Sequence, residues 1–351
     1  MTSIITVVAV NDDEGPPDFE IFGIFFRGLM TTSGHGPLTG QIVVSDGATL
    51  VYDILNPQGR TTVVLIHGWS GSRRYFKLNA RDIAAAGHRV IAYDQRFHGD
   101  SSRPGHGHSV ARLAADLQTL LEKLEVRNAC CVGTSMGAAV IWAYQELFGT
   151  GDRIASIVTV DQGMYGDIDA AGSRQFSRAA RLCLLATSTA PLQNIVPGWR
   201  LGSTGCYDQY TLALLQSAVR NDFTKFAHEN AAFCCDTNNI EPEILEMLAD
   251  ETLKADPEAL CKLMADHTAR DWRDVLGTIT VPCLNVVGRV SKVFPWEGVA
   301  AVSDKLVSSS DVQTEYFDYN HWLYLESPEQ FNELVAGFAR SRWDTAGSIV
   351  T

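Results

Sequence analysis

Residues 131–138 read CVGTSMGA, an apolar run that ends in a serine held between two glycines. A serine hydroxyl is inert at neutral pH until a base takes its proton, so Ser135 is a nucleophile only if a histidine is brought to it. Gly133 and Gly137 suit a turn sharp enough to project the hydroxyl from the corner between a strand and a helix N-terminus. The bland alternative is a small-residue turn with no chemistry. Of nine histidines, His321 is the general base that the order of elements favours. It follows the last predicted strand, and open α/β sheets keep their sites at strand carboxyl ends. A developing oxyanion needs fixed donors, and the backbone N–H groups of Trp69, in His67-Gly68-Trp69-Ser70, and of Met136 can supply them. The Trp69 indole can also wall the pocket. His106 and His108 read as loop histidines, and His228 and His267 as surface or packing residues.

Those side chains have to be delivered by regular structure. QIVVS and TLVYDIL flank Asp46-Gly47, a dipeptide that favours a tight hairpin because both residues tolerate positive φ. Short apolar runs follow at 61–68, 88–94, 128–133, 154–161, 280–288 and 312–318. Unbroken apolar character suits strands buried on both faces, hence a parallel sheet. Val110, Leu113, Ala114, Leu117, Leu121 and Leu124 recur at helical spacing. Met136 to Phe148 reads as the helix after the serine, and Ser327-Pro328-Glu329-Gln330 opens the last one. Alternating strand and helix implies a doubly wound, mostly parallel α/β sheet with right-handed crossovers. From 163 to 272 the alternation stops, and helix-like stretches such as TLALLQSAVRNDFTKFAHENAAF and PEALCKLMADHTARDW follow without a strand. They read as an inserted helical cap over one end of the sheet. The core is then 39–162 and 273–345. Residues 1–38 read as an N-terminal extension that could wrap the domain or a second copy, which makes a homodimer admissible.

Composition narrows the partners. Hydrophobic residues at 46% and charged residues at 20% describe an ordinary globular chain. A formal charge of −13 with no basic cluster disfavours nucleic acid. Cys130, Cys131, Cys183, Cys206, Cys234, Cys235, Cys261 and Cys283 fall mostly in apolar runs with no C-x-x-C, so they read as buried free thiols. MTSIITVVAV lacks a basic leader and breaks into NDDEGPPD, a poor match to a signal peptide. No run approaches about 20 apolar residues. The expectation is a soluble, cytoplasmic protein with no membrane partner.

Taken in order, HGWSGS, YDQRFHGDSSRP, GTSMGA and NHWLYLESPEQFN resemble the α/β-hydrolase superfamily, over about Gln41 to Arg340 apart from the insertion. The resemblance implies a Ser-acid-His hydrolase with a helical cap. In most members the acid follows the strand after the cap, where this chain has Gly288-Arg289-Val290-Ser291, and Ser291 cannot hold a negative charge. Other members carry the acid after the strand that follows the elbow helix. That strand is IASIVTVD here, which implies Asp161, with Ser291 as a neutral neighbour. Asp318, three residues before His321, or no acid at all, is the rival reading. DQRFHGD resembles a structural turn of the superfamily. Nothing in their spacing converges His98, His106 and His108, so no metal is expected.

The function expected is hydrolysis of a carboxylic ester or lactone through an acyl-enzyme, without a cofactor. Trp69, Trp199, Tyr210 and Trp322 are the substrate-binding candidates. With Tyr207, Phe223, Phe226 and Phe233 they suggest a medium-sized apolar or aromatic small molecule. The same machinery admits C–C bond hydrolysis, acyl transfer or perhydrolysis, and a non-catalytic ligand-binding member stands as the alternative outside enzymes.

Overall fold

Successive side chains along residues 62–66 go to opposite faces of the sheet. Val63 and Leu65 join one apolar core while Val64 and Ile66 join another, all fully buried. Burial on both faces is why the segment carries no polar residue after Thr62. The computed structural model of the chain describes residues 18–21, 24–27, 36–164 and 209–347. Ten strands among these form one sheet. They are β1 (Asp18–Ile21), β2 (Ile24–Arg27), β3 (Leu38–Val43), β4 (Thr49–Leu55), β5 (Thr62–Ile66), β6 (Arg89–Tyr93), β7 (Ala129–Thr134), β8 (Ile154–Val160), β9 (Cys283–Gly288) and β10 (Val312–Phe317). Their order is β1-β2-β3-β4-β6-β5-β7-β8-β9-β10. The pairings from β6 through β10 are parallel and those from β1 to β6 antiparallel.

Two expectations about this sheet change. The N-terminal stretch, which the sequence leaves without a place, adds β1 and β2, joined to β3 through Phe26 and Gly40. The hairpin after β3 forms, but only Gly47 of the Asp46-Gly47 pair takes positive φ, at 86°. Asp46 instead turns its carboxylate to the Ala48 N–H at 3.3 Å and to the guanidinium of Arg96 at 3.0 Å.

The helices are α1 (Ala80–Ala85), α2 (Val110–Lys123), α3 (Met136–Phe148), α4 (Gln209–Asn221), α5 (Phe223–Cys234), α6 (Pro242–Leu253), α7 (Pro257–Thr268), α8 (Arg273–Leu276), α9 (Trp296–Ala300), α10 (Leu323–Glu326) and α11 (Pro328–Gly347). Helix α2 buries Leu113, Leu117, Leu120 and Leu121 against one sheet face, each side chain contributing about 1.5–3 kcal/mol. Phe331 and Val335 of α11 pack on the other face. Helices α4 to α7 lie between β8 and β9 with no strand among the described residues. The stretch that reads as one helix through residue 233 is two, because Asp222 leaves the helix and caps α5, its carboxylate accepting from the Lys225 N–H at 2.9 Å.

The loop after β6 is held by buried charge. Arg73 reaches Asp53 at 3.0 Å and also contacts Asp94. Arg96 is fully buried and donates to Asp116 at 2.8 Å. DQRFHGD is therefore architecture. Within it Gln95 donates its N–H to His67 Nε2 at 3.0 Å, and His67 Nδ1 lies 2.8 Å from the Gly68 carbonyl, which fixes His67 as the neutral Nδ1–H tautomer. Burial holds His67 well below the ordinary histidine value. It pushes His98, whose ring stands 5.0 Å from that of His67, down to about 4. His106 and His108 go elsewhere, to Asp46 at 3.1 Å and to a stack on Phe97. No three His, Cys, Asp or Glu side chains among the described residues could hold a metal ion, and no helix among them is long and apolar enough to cross a membrane. Cys183 and Cys206 lie outside the described residues, and the other six cysteines are free and buried.

A histidine kept neutral in the folded chain leaves stability unaffected above the unfolded-state value near 6.5 and lowers it as pH falls from there toward the folded-state value. Urea midpoints are therefore expected to fall between pH 6.5 and 5. In His98→Gln the slope of stability against pH should decrease by about 1.4 kcal/mol per pH unit. An unchanged slope would show that His98 titrates alike in both states.

Candidate active site

Strand β7 ends at Thr134 and α3 begins at Met136, so Ser135 alone turns the chain. It does so at φ 51° and ψ −126°, a conformation that costs on the order of 1–3 kcal/mol for a residue with a side chain. Its N–H donates to the Val160 carbonyl at 2.9 Å and its carbonyl accepts from Ala138 at 2.8 Å. A Cβ on Gly133 would meet Ala138 N at 2.5 Å, and one on Gly137 would meet the Ile66 carbonyl at 2.2 Å. Both glycines are required by contact. The Ser135 hydroxyl does not cap its own helix and lines a pocket shared with His321.

Asp161, directly after β8, is fully buried and takes φ 44°. Three donors converge on its carboxylate. Gly288 N–H reaches Oδ1 at 3.1 Å, while the Ser291 hydroxyl reaches Oδ2 at 2.6 Å and His321 Nδ1 reaches the same oxygen at 2.7 Å. Asp318 faces solvent with its side chain 76% exposed, and among the described residues pairs only with Arg289. The structure thus brings His321 and Asp161 together and leaves Asp318 out.

The loop carrying His321 is fixed by Asn320, which the sequence reading passes over although it is the preceding residue. Its side-chain carbonyl accepts from the backbone N–H groups of His321 and Lys292, each at 2.8 Å, and its amide donates to Phe233 O at 2.9 Å. One buried amide ties the histidine to the Ser291 loop and to the end of α5.

Met136 N–H is the first of α3 and has no intrahelical partner. The Trp69 N–H finds no acceptor among the described residues. Gly68 lets the two donors approach, because a Cβ there would stand 3.0 Å from Ser135 Cβ. The Trp69 side chain does line the pocket, donating from Nε1 to Leu260 O of α7 at 2.8 Å and standing edge-on to Phe226. Trp322 and Phe233 also line it. Trp199 and Tyr207 lie outside the described residues, and of Tyr210 only its place in α4 is described. Of the two readings of His267, surface or packing, burial bears out the second, and the residue also lines this pocket. Its Met264 neighbour one turn back gives the signal that was available, an apolar and a polar residue on one helix face.

Residues 61–185 match the alpha/beta hydrolase fold family. A non-heme chloroperoxidase of Burkholderia pyrrocinia is 31% identical over 304 residues, spanning 86% of this chain and 99% of its own. That of Streptomyces lividans is 25% identical, spanning 86% of this chain and all of its own. An esterase from Exiguobacterium antarcticum superposes with a TM-score of 0.69 at 19% identity, covering 86% of this chain and 98% of its own. The chain belongs to the α/β-hydrolase superfamily and is an enzyme of the hydrolase class.

If Asp161 orients His321, Asp161→Asn should slow phosphonylation of Ser135 by a fluorophosphonate by on the order of 10³-fold or more. Adding Ser291→Asp to Asp161→Asn places a carboxylate within reach of the same imidazole and is expected to recover at least about tenfold of that loss, or about 1.4 kcal/mol. Wild-type labelling by Asp161→Asn, followed by mass spectrometry, would remove Asp161 from the triad.

Proposed function

We propose that the protein hydrolyses carboxylic esters or lactones of medium-sized, largely apolar molecules. The observation that carries this reading is the 2.7 Å contact of His321 Nδ1 with the buried Asp161 carboxylate, made at the pocket into which the Ser135 corner opens. With Nδ1–H donated to Asp161, Nε2 is left as the basic nitrogen. His321 takes the Ser135 proton as Oγ attacks the carbonyl carbon. The oxyanion is held by the N–H groups of Trp69 and Met136. Collapse of the tetrahedral intermediate breaks the C–O bond, and His321 returns the proton to the leaving alkoxide. Water, deprotonated by the same imidazole, then cleaves the acyl-enzyme and Ser135 is regenerated. In a lactone the leaving alcohol stays covalently joined to the acyl group, so the last step releases a single hydroxy acid.

A second reading draws support from the full-length likeness to a non-heme chloroperoxidase. Hydrogen peroxide in place of water would intercept the same acyl-enzyme and release a peracid, which oxidises halide in solution. It uses the same nucleophile, base and oxyanion donors and differs only in which molecule attacks second.

Hydrolysis of p-nitrophenyl butanoate is expected from wild type, and Ser135→Ala should lower kcat by on the order of 10⁴-fold or more. Peracid formation from acetate and hydrogen peroxide, followed by iodide oxidation, should vanish in the same variant. Turnover that survives Ser135→Ala would sink both readings.

A further inference from the structure

Ser291 is buried beside the Asp161 and His321 side chains, and every hydrogen-bonding capacity of its hydroxyl is in use. A serine oxygen offers one donor and two acceptor positions. The donor goes to Asp161 Oδ2 at 2.6 Å, and the acceptors take the Val293 and Phe294 N–H groups at 3.3 Å each. Ser291 N–H donates in turn to Gly288 O at 3.3 Å, and Gly288 N–H holds the other Asp161 oxygen at 3.1 Å. The turn at the end of β9 therefore grips both oxygens of a carboxylate that stands after β8.

That grip reaches the imidazole. The terminal torsion of an aspartate is broad, so nothing within the side chain itself sets the plane of its carboxylate. Donors on both oxygens set it here. His321 Nδ1 lies 2.7 Å from Oδ2, the oxygen that Ser291 also holds, so the hydroxyl restricts the directions from which the ring can approach. Ser291 acts on the same ring by a second route. Phe294, whose N–H rests on Ser291 Oγ, brings its ring to 5.8 Å from that of His321, and both line the pocket with Ser135. An imidazole held through Nδ1 and flanked by Phe294 has its Nε2 aimed as well, because the two nitrogens belong to one rigid plane.

We propose that Ser291 is a positioning residue, which through Asp161 and Phe294 fixes the His321 ring in the orientation that a general base for Ser135 needs. It touches no reacting atom. Its effect on turnover rests on the hydrolytic reading of Ser135, whereas its effect on the ring does not. A supporting group of this kind has to be locked by its own partners before it can lock another, and the three bonds of the Ser291 oxygen meet that requirement.

Ser291→Ala removes the hydroxyl and little else. For p-nitrophenyl butanoate its kcat should fall about tenfold while KM stays within about threefold, because the group acts on the base rather than on bound substrate. In protein carrying isotope-labelled histidine, the Nδ1–H proton signal of His321, assigned by its loss in His321→Gln, should move and exchange faster with water in Ser291→Ala. Ser291→Thr keeps the hydroxyl and should restore the signal, with kcat within about threefold of wild type. A folded Ser291→Ala with the kcat and signal of wild type would overturn the proposal. So would a fall in kcat with the signal unmoved, a moved signal with kcat kept, or a loss that folded Ser291→Thr shares. If Ser291→Thr does not fold, the Ser291→Ala comparison decides alone, and absence of the signal from wild type overturns the proposal without any variant. If wild type shows no Ser135-dependent turnover, the hydrolytic reading fails by itself, and the His321 signal in wild type and Ser291→Ala still decides whether the hydroxyl holds the ring.

Discussion

The left-handed corner at Ser135 is the constraint on which the rest depends. Holding it requires Gly137 against the Ile66 carbonyl and Gly133 against the first turn of α3. That draws the carboxyl ends of β5 and β7 to the same level. The corner is then tied outward strand by strand. Ser135 N–H bonds Val160 O, Asp161 N–H bonds Val286 O, and Arg289 N–H bonds Phe317 O. Each is the last rung of a parallel ladder, and each hands the chain to a segment that lines or supports the candidate site: the Ser135 corner, the Asp161 turn, and the Ser291 and His321 loops. Parallel pairing is what makes this work, since every carboxyl end of β7 to β10 faces one way.

With the carboxylate after β8, its supports come from the neighbouring strand end. A buried carboxylate without donors would cost several kcal/mol. Asp161 has three, and two come from the β9 end: the Gly288 amide and the Ser291 hydroxyl. The loop that holds the acid in the commoner arrangement thus serves here as its donor. Ser291 in turn has its oxygen within 3.3 Å of the Val293 and Phe294 N–H groups, so its hydroxyl hydrogen is free to aim at Asp161. The two strand ends meet at one atom, since the Ser291 hydroxyl and His321 Nδ1 share Asp161 Oδ2.

How much of this was legible in the sequence follows from where the physics is local. The parallel strands are apolar on both faces, so their runs stand out, and the glycines of the Ser135 corner are adjacent in sequence to what they contact. The start of α3 at Met136 follows directly. Strands β1 and β2 are another matter, because their place in the sheet depends on Phe26 meeting Gly40 across an edge. Asp222 hid inside a continuous apolar periodicity whose break is made by one cap. Asn320 carries no local signature at all, and His267 only its spacing from Met264 on one helix face. The first matters through partners at Lys292 and Phe233, the second through a pocket assembled from both sides of the insertion.

The inserted helices are bound to the loop that supplies one of the candidate oxyanion donors. Trp69 reaches Leu260 O, the Ser70 carbonyl accepts from Thr252 at 3.1 Å, Ser72 donates to Glu251 at 2.8 Å, and the Tyr75 hydroxyl reaches Leu248 O at 3.0 Å. Four residues of 69–75 are therefore committed to α6 and α7. A substitution that shifts α7 to reshape the pocket acts on the Trp69 indole through its bond to Leu260 O. The shape of the pocket wall on α7 and the placement of the 69–75 loop are therefore mechanically one adjustment. Side chains that line the pocket, such as Met264, can change its shape without moving the backbone that carries them.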